Sequence, residues 1–384
     1  MLHPTIHRCI FWAHLAVGIT VGLIILVLAV TGLLISFETQ IVDQVERAMV
    51  REKANGDTTP LTAGEMIAAF EKAGIEGRPS FLSYTAHPDA PVAFLVDKGN
   101  QHLFHPTTGE YLGKGAVRTR QFFKTVLSIH RWLTLPSEQP GPWKDIGGHI
   151  TGAGTLGFLF LLVSGLGIWV PKKLTWKAFK AVLTIQPRLK GRARDWNWHN
   201  VAGIWASPFI LTICLTGLIM AYPWANQLLF QSFGEKPPEK RERGSGGPRG
   251  GNGEKSIATS QLDAVADFAK HKVPAWQSIV MDLPSSEKQP LTVTVTDAGR
   301  GRPDRREKFT LDPASLAVVK HETFAAMKPG QRARFIVRWL HTGEFGGWFG
   351  QLLAALTASA VIALVWTGFA LSYRRFFRKR KTTA

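Results

Sequence analysis

Two histidines occupy matched positions in two apolar stretches. One stretch reads His14-x-x-x-Gly18 and then Thr31-Gly32-Leu33; the other reads His199-x-x-x-Gly203 and then Thr216-Gly217-Leu218. In each, the second glycine follows the histidine by 18 residues. On a helix that is about five turns and about 27 Å of rise, returning to the same face. An imidazole inside an apolar segment is costly and marks a functional position. Two of them at one depth, on two helices, suit bis-histidine ligation of a haem, because neutral imidazole is a standard axial ligand. On this reading Gly18, Gly32, Gly203 and Gly217 let a flat macrocycle approach the backbone. A zinc site lacks the Cys or carboxylate ligands that would complete it. A proton relay lacks an intramembrane Asp or Glu to continue it.

A second set of histidines lies toward the other end. His341 stands in Leu340-His341-Thr342-Gly343, and His130 in Ile129-His130-Arg131-Trp132-Leu133. His149 opens a third apolar stretch. Ligands to one iron must meet at one depth. His149 is 22 residues before Pro171, and His341 is 33 residues before Arg374. His130, on the segment preceding the helix, therefore matches the height of His341 better, and His149 stands as its alternative. His87, His102, His105, His271 and His321 read as solvated surface residues, with the spacing of His102 and His105 a weak hint of metal binding. Neither Cys9 nor Cys214 is given a chemical role.

These side chains need helices to hold them. Cys9–Phe37, Ile150–Val170, Val201–Tyr222 and Phe345–Tyr373 carry no formal charge. Each reaches the roughly 20 residues that cross a bilayer core, where the backbone must satisfy its own hydrogen bonds as helix. The expected spans, extended to include the histidines, are 9–37, 149–170, 198–222 and 341–373. The first is too long for the apolar core of a signal peptide, and no small-residue cleavage site interrupts Leu33–Gln40.

Charge orients the helices. Arg8, the segment 171–197 and the tail 374–384 together hold 15 bases against one acid, Asp195, whereas 38–148 and 223–344 hold 31 bases against 27 acids. The positive-inside rule makes the basic side cytoplasmic. The net charge of +18 is thus a topology signal with anionic lipid as neighbour, and nucleic acid is not an expected partner.

The two long segments read as α+β domains over 40–145 and 223–340. In the first, Thr62 and Glu65 form a capping-box pattern ahead of a helix over Leu61–Ala73; strands are expected at Pro79–Thr85, Val92–Asp97 and Gln101–His105. In the second, a helix over Ser260–Lys270 precedes strands at Trp276–Leu283, Leu291–Asp297 and Lys308–Leu311. A stretch over 234–254, rich in Gly, Pro and charge, reads as a flexible loop.

The His-x-x-x-Gly…Thr-Gly-Leu helices, the Ile129–Leu133 segment and the Leu340–Gly343 segment resemble the PepSY-associated transmembrane proteins of bacterial inner membranes, over nearly the whole chain. In length and layout the resemblance is nearest to siderophore reductases of the FoxB type, associated with ferrioxamine. It implies a bundle of four transmembrane helices with two PepSY-like periplasmic domains. It further implies two b-type haems and reduction of a ferric siderophore in the periplasm. By motif it assigns His14, His199, His130 and His341 as axial ligands and makes no demand on His149. No nucleotide fingerprint is present, so the electron donor is expected to be a separate molecule: quinol, reduced flavin or a reductase. Two other functions are compatible with the layout: a haem-free regulatory protein binding peptides through its PepSY domains, and a quinol-linked cytochrome b subunit.

Overall fold

A computed structural model of the protein describes residues 3–53, 59–96, 100–137, 141–171, 175–238, 261–284, 289–298 and 302–377. Residues 239–254 of the expected flexible loop, Lys172 and Lys173, and residues 378–384 of the basic tail lie outside them. In chain order the helices are α1 (Pro4–Ile35), α2 (Glu38–Glu52) and α3 (Ala63–Lys72). After strands β1 (Pro79–Thr85), β2 (Val92–Val96), β3 (Asn100–Phe104) and β4 (Tyr111–Gly113) come α4 (Val117–Trp132), α5 (Pro142–Trp169), α6 (Trp176–Leu183), α7 (Gly191–Ala221), α8 (Pro223–Gln231) and α9 (Leu262–Lys272). Strands β5 (Ser278–Asp282), β6 (Leu291–Thr296), β7 (Arg306–Leu311) and β8 (Val318–Thr323) follow, then α10 (Pro329–Thr342) and α11 (Gly347–Phe376). Two compact units result. The helical unit comprises Met1–Phe37, Phe122–Gly234 and Ile336–Ala384; the sheet unit comprises Glu38–Gln121 and Glu235–Phe335.

In the helical unit, α1, α5, α7 and α11 are each long and apolar enough to cross a membrane. They pack as a ring in which α1 and α7 touch both α5 and α11. The polarity is that of a helix bundle turned inside out. Leu23, Val163 and Trp366 are 65, 62 and 71% exposed, while Thr31, Ser164, Thr216 and Thr367 are 7, 7, 5 and 1% exposed. A bilayer is the solvent in which that pattern is favourable, because apolar side chains face acyl chains and hydroxyls find partners within the bundle. Midway, Ile25, Ala29, Ala206, Ile210, Cys214 and Val361 form a buried apolar cluster.

The basic segment between α5 and α7 is shaped by two buried polar residues. Asn197 accepts from the Gln186 backbone N–H at 2.9 Å and donates to Ala181 O and Thr184 O at 2.8 and 3.0 Å. Asp195, 1% exposed, pairs with Arg194 at 3.0 Å and with Arg374 of α11.

In the sheet unit, the expected capping box forms: Thr62 Oγ1 accepts from Glu65 N, and Glu65 Oε2 accepts from Thr62 N. The two α+β segments, expected as separate domains, share one sheet. All eight strands join in the order β4-β3-β2-β1-β5-β6-β7-β8, antiparallel throughout. The seam is β1 with β5, from Phe81 opposite Asp282 to Thr85 opposite Ser278. Met66, Ile67 and Phe70 of α3 and Leu262, Val265 and Ala269 of α9 bury against Leu82, Phe94, Ile279, Met281, Val293 and Leu311 in one core. Each such side chain contributes about 1.5–3 kcal/mol of burial. Asp263 also accepts from the Gly64 backbone N–H at 2.9 Å, tying α9 to the start of α3. The strands β4 and β8, both at the sheet edges, and the helices α2, α4 and α10 were not expected from the sequence. Residues 122–145, 223–234 and 336–340, expected in the α+β domains, belong to the helical unit instead.

His102 and His105, expected on the surface, are 7 and 3% exposed. His102 Nδ1 is hydrogen-bonded with the Tyr111 hydroxyl at 2.8 Å. Burial and the charge of Lys114 lower its pKa from the ordinary histidine value. His105 Nδ1 faces the backbone N–H groups of Thr107 and Thr108 at 3.4 Å each and shapes the turn. Among the described residues no group of three or more His, Cys, Asp and Glu side chains converges as a metal site.

Candidate functional site

Four histidines of the helical unit are held by one repeated device. His14 Nδ1 lies 2.9 Å from Ser164 Oγ on α5. His199 Nδ1 lies 2.9 Å from Thr367 Oγ1 on α11. His130 Nδ1 lies 2.8 Å from Thr31 Oγ1 on α1, and His341 Nδ1 lies 3.0 Å from Thr216 Oγ1 on α7. Each hydroxyl also donates to the carbonyl four residues back, at 2.7 Å for Ser164, 2.7 Å for Thr367, 2.6 Å for Thr31 and 2.6 Å for Thr216. A hydroxyl has a single proton to give. With that proton committed to the backbone, it meets the imidazole as an acceptor. Nδ1 therefore carries the hydrogen at all four positions. His341 states this independently, because its Nδ1 also lies 3.2 Å from Ile213 O, which can only accept. In each neutral ring the lone pair is left on Nε2, which has no hydrogen-bond partner among the described residues.

A glycine follows every one of these hydroxyls. Gly165 and Gly217 lie where a Cβ would come within 3.2 Å of Cε1 of His14 and His341; at Gly32 and Gly368 the distance to His130 and His199 would be 3.5 Å. At these four glycines the bare backbone faces an imidazole edge. A Cβ at Gly18 or Gly203 would meet Leu161 or Leu364, at 3.7 and 3.6 Å. The motif is Ser/Thr-Gly-Leu/Phe in all four spanning helices: Thr31-Gly32-Leu33, Ser164-Gly165-Leu166, Thr216-Gly217-Leu218 and Thr367-Gly368-Phe369. Comparing α1 with α7 finds only two of them. The signal for Ser164 and Thr367 is the same dipeptide in the other two helices.

The histidines form two levels. His130 and His341 face each other with ring centres 6.4 Å apart and planes at 60°. His14 is the titratable neighbour of His199 at the other level, on α1 and α7, which sit diagonally in the ring. Seventeen residues separate His14 from Thr31, and His199 from Thr216, so the levels stand about 25 Å apart along the axis. His149 is exposed on α5 and bonds to none of the four.

The short helices that carry His130 and His341 are docked tightly. The Thr151 hydroxyl donates to Arg131 O at 3.0 Å. Gly147 leaves no room for a methyl group against the Trp132 carbonyl. Leu133 ends α4 with φ 52°, a left-handed conformation uncommon outside glycine. The end of α10 uses Gly343, φ 75°, which packs closely on Gly350 of α11.

What such pairs can hold follows from their donors. A metal bound by two imidazole nitrogens at about 2 Å each, with ring centres about 1 Å beyond the nitrogens, spans close to the separation seen at His130 and His341. A haem iron with two axial imidazoles fits this donor set. The fold and site define a membrane protein built of two similar halves that meet across two imidazole pairs. The chain matches the family model described as the PepSY-associated TM region over residues 11–375, and it belongs to that family. No curated protein matches the chain.

Proposed function

We propose that the protein is a di-haem b-type reductase of the bacterial inner membrane that moves electrons across it and reduces ferric siderophore in the periplasm. The observation that supports this most is the fourfold imidazole arrangement, with Nδ1–H tied down and Nε2 free at every position. Haem bound there would supply a one-electron carrier at each level. His14 and His199 would hold one haem and His130 and His341 the other, by Nε2. Ser164, Thr367, Thr31 and Thr216 fix ring orientation and tautomer, as outer partners of metal-bound histidines do. Between the levels the interior of the bundle is filled by the apolar cluster around Ile210 and Val361.

The basic excess around α6 and after α11 supports a cytoplasmic location for the His14 level. The sheet unit, with its PepSY-like helix-and-hairpin layout, would then be periplasmic. Its substrate in this reading is Fe(III) held by hard oxygen ligands, as in a ferrioxamine-like siderophore. Such ligands hold the softer Fe(II) less tightly. The electron donor is a separate molecule, such as quinol, reduced flavin or a reductase.

The test is direct. The purified protein is expected to show a low-spin b-type spectrum when reduced with dithionite. The pre-reduced protein, freed of dithionite, is expected to be reoxidised by ferrioxamine and to release iron to an Fe(II) chelator. A colourless protein would favour a haem-free, peptide-binding role. A coloured protein that ferric siderophore leaves reduced would favour a cytochrome subunit serving a partner.

A further inference from the structure

The end of the bundle that carries His14 and His199 has a second feature. There α1 and the end of α11 border an open surface groove of about 390 Å3 lined by Pro4, His7, Arg8, Phe11, Trp12 and Arg375. The Arg375 guanidinium sits 4.7 Å from the ring centres of both Phe11 and Trp12, and the two rings pack edge to face at 5.9 Å. A guanidinium stacked in this way is pre-oriented, while its in-plane N–H donors remain directed outward. The neighbouring Arg194 and Arg374 share one carboxylate, Asp195. Among the described residues, Arg8 and Arg375 have no carboxylate partner, so two positive charges, that of Arg375 held by its stacking, line one groove together with an imidazole.

We propose that this groove binds a phosphate group. Two guanidinium groups suit phosphate oxygens by paired, charge-assisted hydrogen bonds, His7 adds a third donor, and Trp12 and Phe11 offer apolar faces to whatever the phosphate is attached to. The phosphate can come from an acidic phospholipid headgroup or from a soluble phosphomonoester. The site also lies close to the first imidazole level. His7, Phe11 and His14 fall at i, i+4 and i+7 on α1 and so share a face. The proposal does not depend on haem occupancy.

The experiment uses the full-length protein in phosphatidylcholine nanodiscs, titrated with flavin mononucleotide and, separately, with riboflavin, which lacks the phosphate. Retained lipid is measured by native mass spectrometry after reconstitution with added phosphatidylglycerol. A soluble phosphomonoester is indicated if flavin mononucleotide binds, inorganic phosphate competes and riboflavin does not bind. A lipid headgroup is indicated if phosphatidylglycerol is retained over phosphatidylcholine. In either case the double substitution Arg8→Gln, Arg375→Gln is expected to weaken binding roughly tenfold or more, through loss of charge-assisted bonds. Arg8→Lys with Arg375→Lys is expected to recover part of it. The proposal is overturned if wild type and the Gln variant behave alike toward both probes, or if riboflavin binds as well as flavin mononucleotide and no phospholipid preference exists.

Discussion

The hydroxyl partners of the four histidines give the clearest test at the scale of single residues. Replacing Thr31, Thr216 or Thr367 with Val, or Ser164 with Ala, keeps most of the volume but removes the hydroxyl acceptor of a buried Nδ1–H, at a cost of about 1–3 kcal/mol, least for Thr216 because Ile213 O also faces His341 Nδ1. The expected result is a shifted midpoint potential at the level that the residue serves, and an unchanged potential at the other, in a spectroelectrochemical titration. Equal shifts at both levels would argue against local control by these hydroxyls. On the proposed di-haem reading, His130→Ala should remove the second haem and leave the first, whereas His149→Ala should leave both spectra intact. The histidines themselves were legible from the sequence because His14 lies in a charge-free segment, His199 repeats its spacing to a Thr-Gly-Leu, and His130 and His341 adjoin the other ends of such segments. The choice of His130 over His149 as the residue facing His341 was not decided by residue type. It depends on α4 turning back against α5, a tertiary event. The histidine contacts of Gly32 and Gly217 escaped the sequence for a similar reason: a glycine announces a close approach without saying what approaches.

At the scale of elements, the joint between α4 and α5 positions His130. Gly147→Ala pushes a methyl group into the Trp132 carbonyl, and overpacking of that kind costs about 1–3 kcal/mol. The displacement should reach His130, only two residues from Trp132. The measurable outcome is loss or broadening of the second haem signal with the first unaltered; a wild-type spectrum would mean that the joint yields elsewhere. The helices α4 and α10 escaped the sequence reading because both are amphipathic and mixed in charge, adjoining segments whose hydropathy signal is far stronger. By contrast, α3 was legible to the residue at its N-terminus, since a capping box is chemistry local to four residues.

At the scale of the whole molecule, Asp195 links the start of α7 to the end of α11. Asp195→Asn leaves Arg374 without its buried counter-charge, at a cost of about 1–3 kcal/mol, below that of a fully buried pair because the Arg374 side chain is 24% exposed. The detergent-solubilised variant should melt at a lower temperature, and Asp195→Glu should restore part of the loss; an unchanged melting temperature would refute the role. The four spanning helices were readable because a bilayer imposes length and polarity on them. The single eight-stranded sheet was not readable. Strand pairing between β1 and β5 joins segments about 200 residues apart, and nothing in either strand names its partner. The edge strand β8 also lacks the alternation that marks a half-buried strand, being exposed along most of its length.

Each histidine is seated by a hydroxyl from its own half of the chain, yet each pair is completed only by the opposite half. His14 and His130 bond within residues 4–169, and His199 and His341 within residues 191–376. Such a molecule is divisible in principle. Expressed as two polypeptides cut between α5 and α7, each fragment would insert with its imidazoles already oriented. Haem, together with the β1–β5 seam, would then act as the clasp that brings the fragments together. Complementation that strengthens with haem supply would be the signature of that manner of assembly.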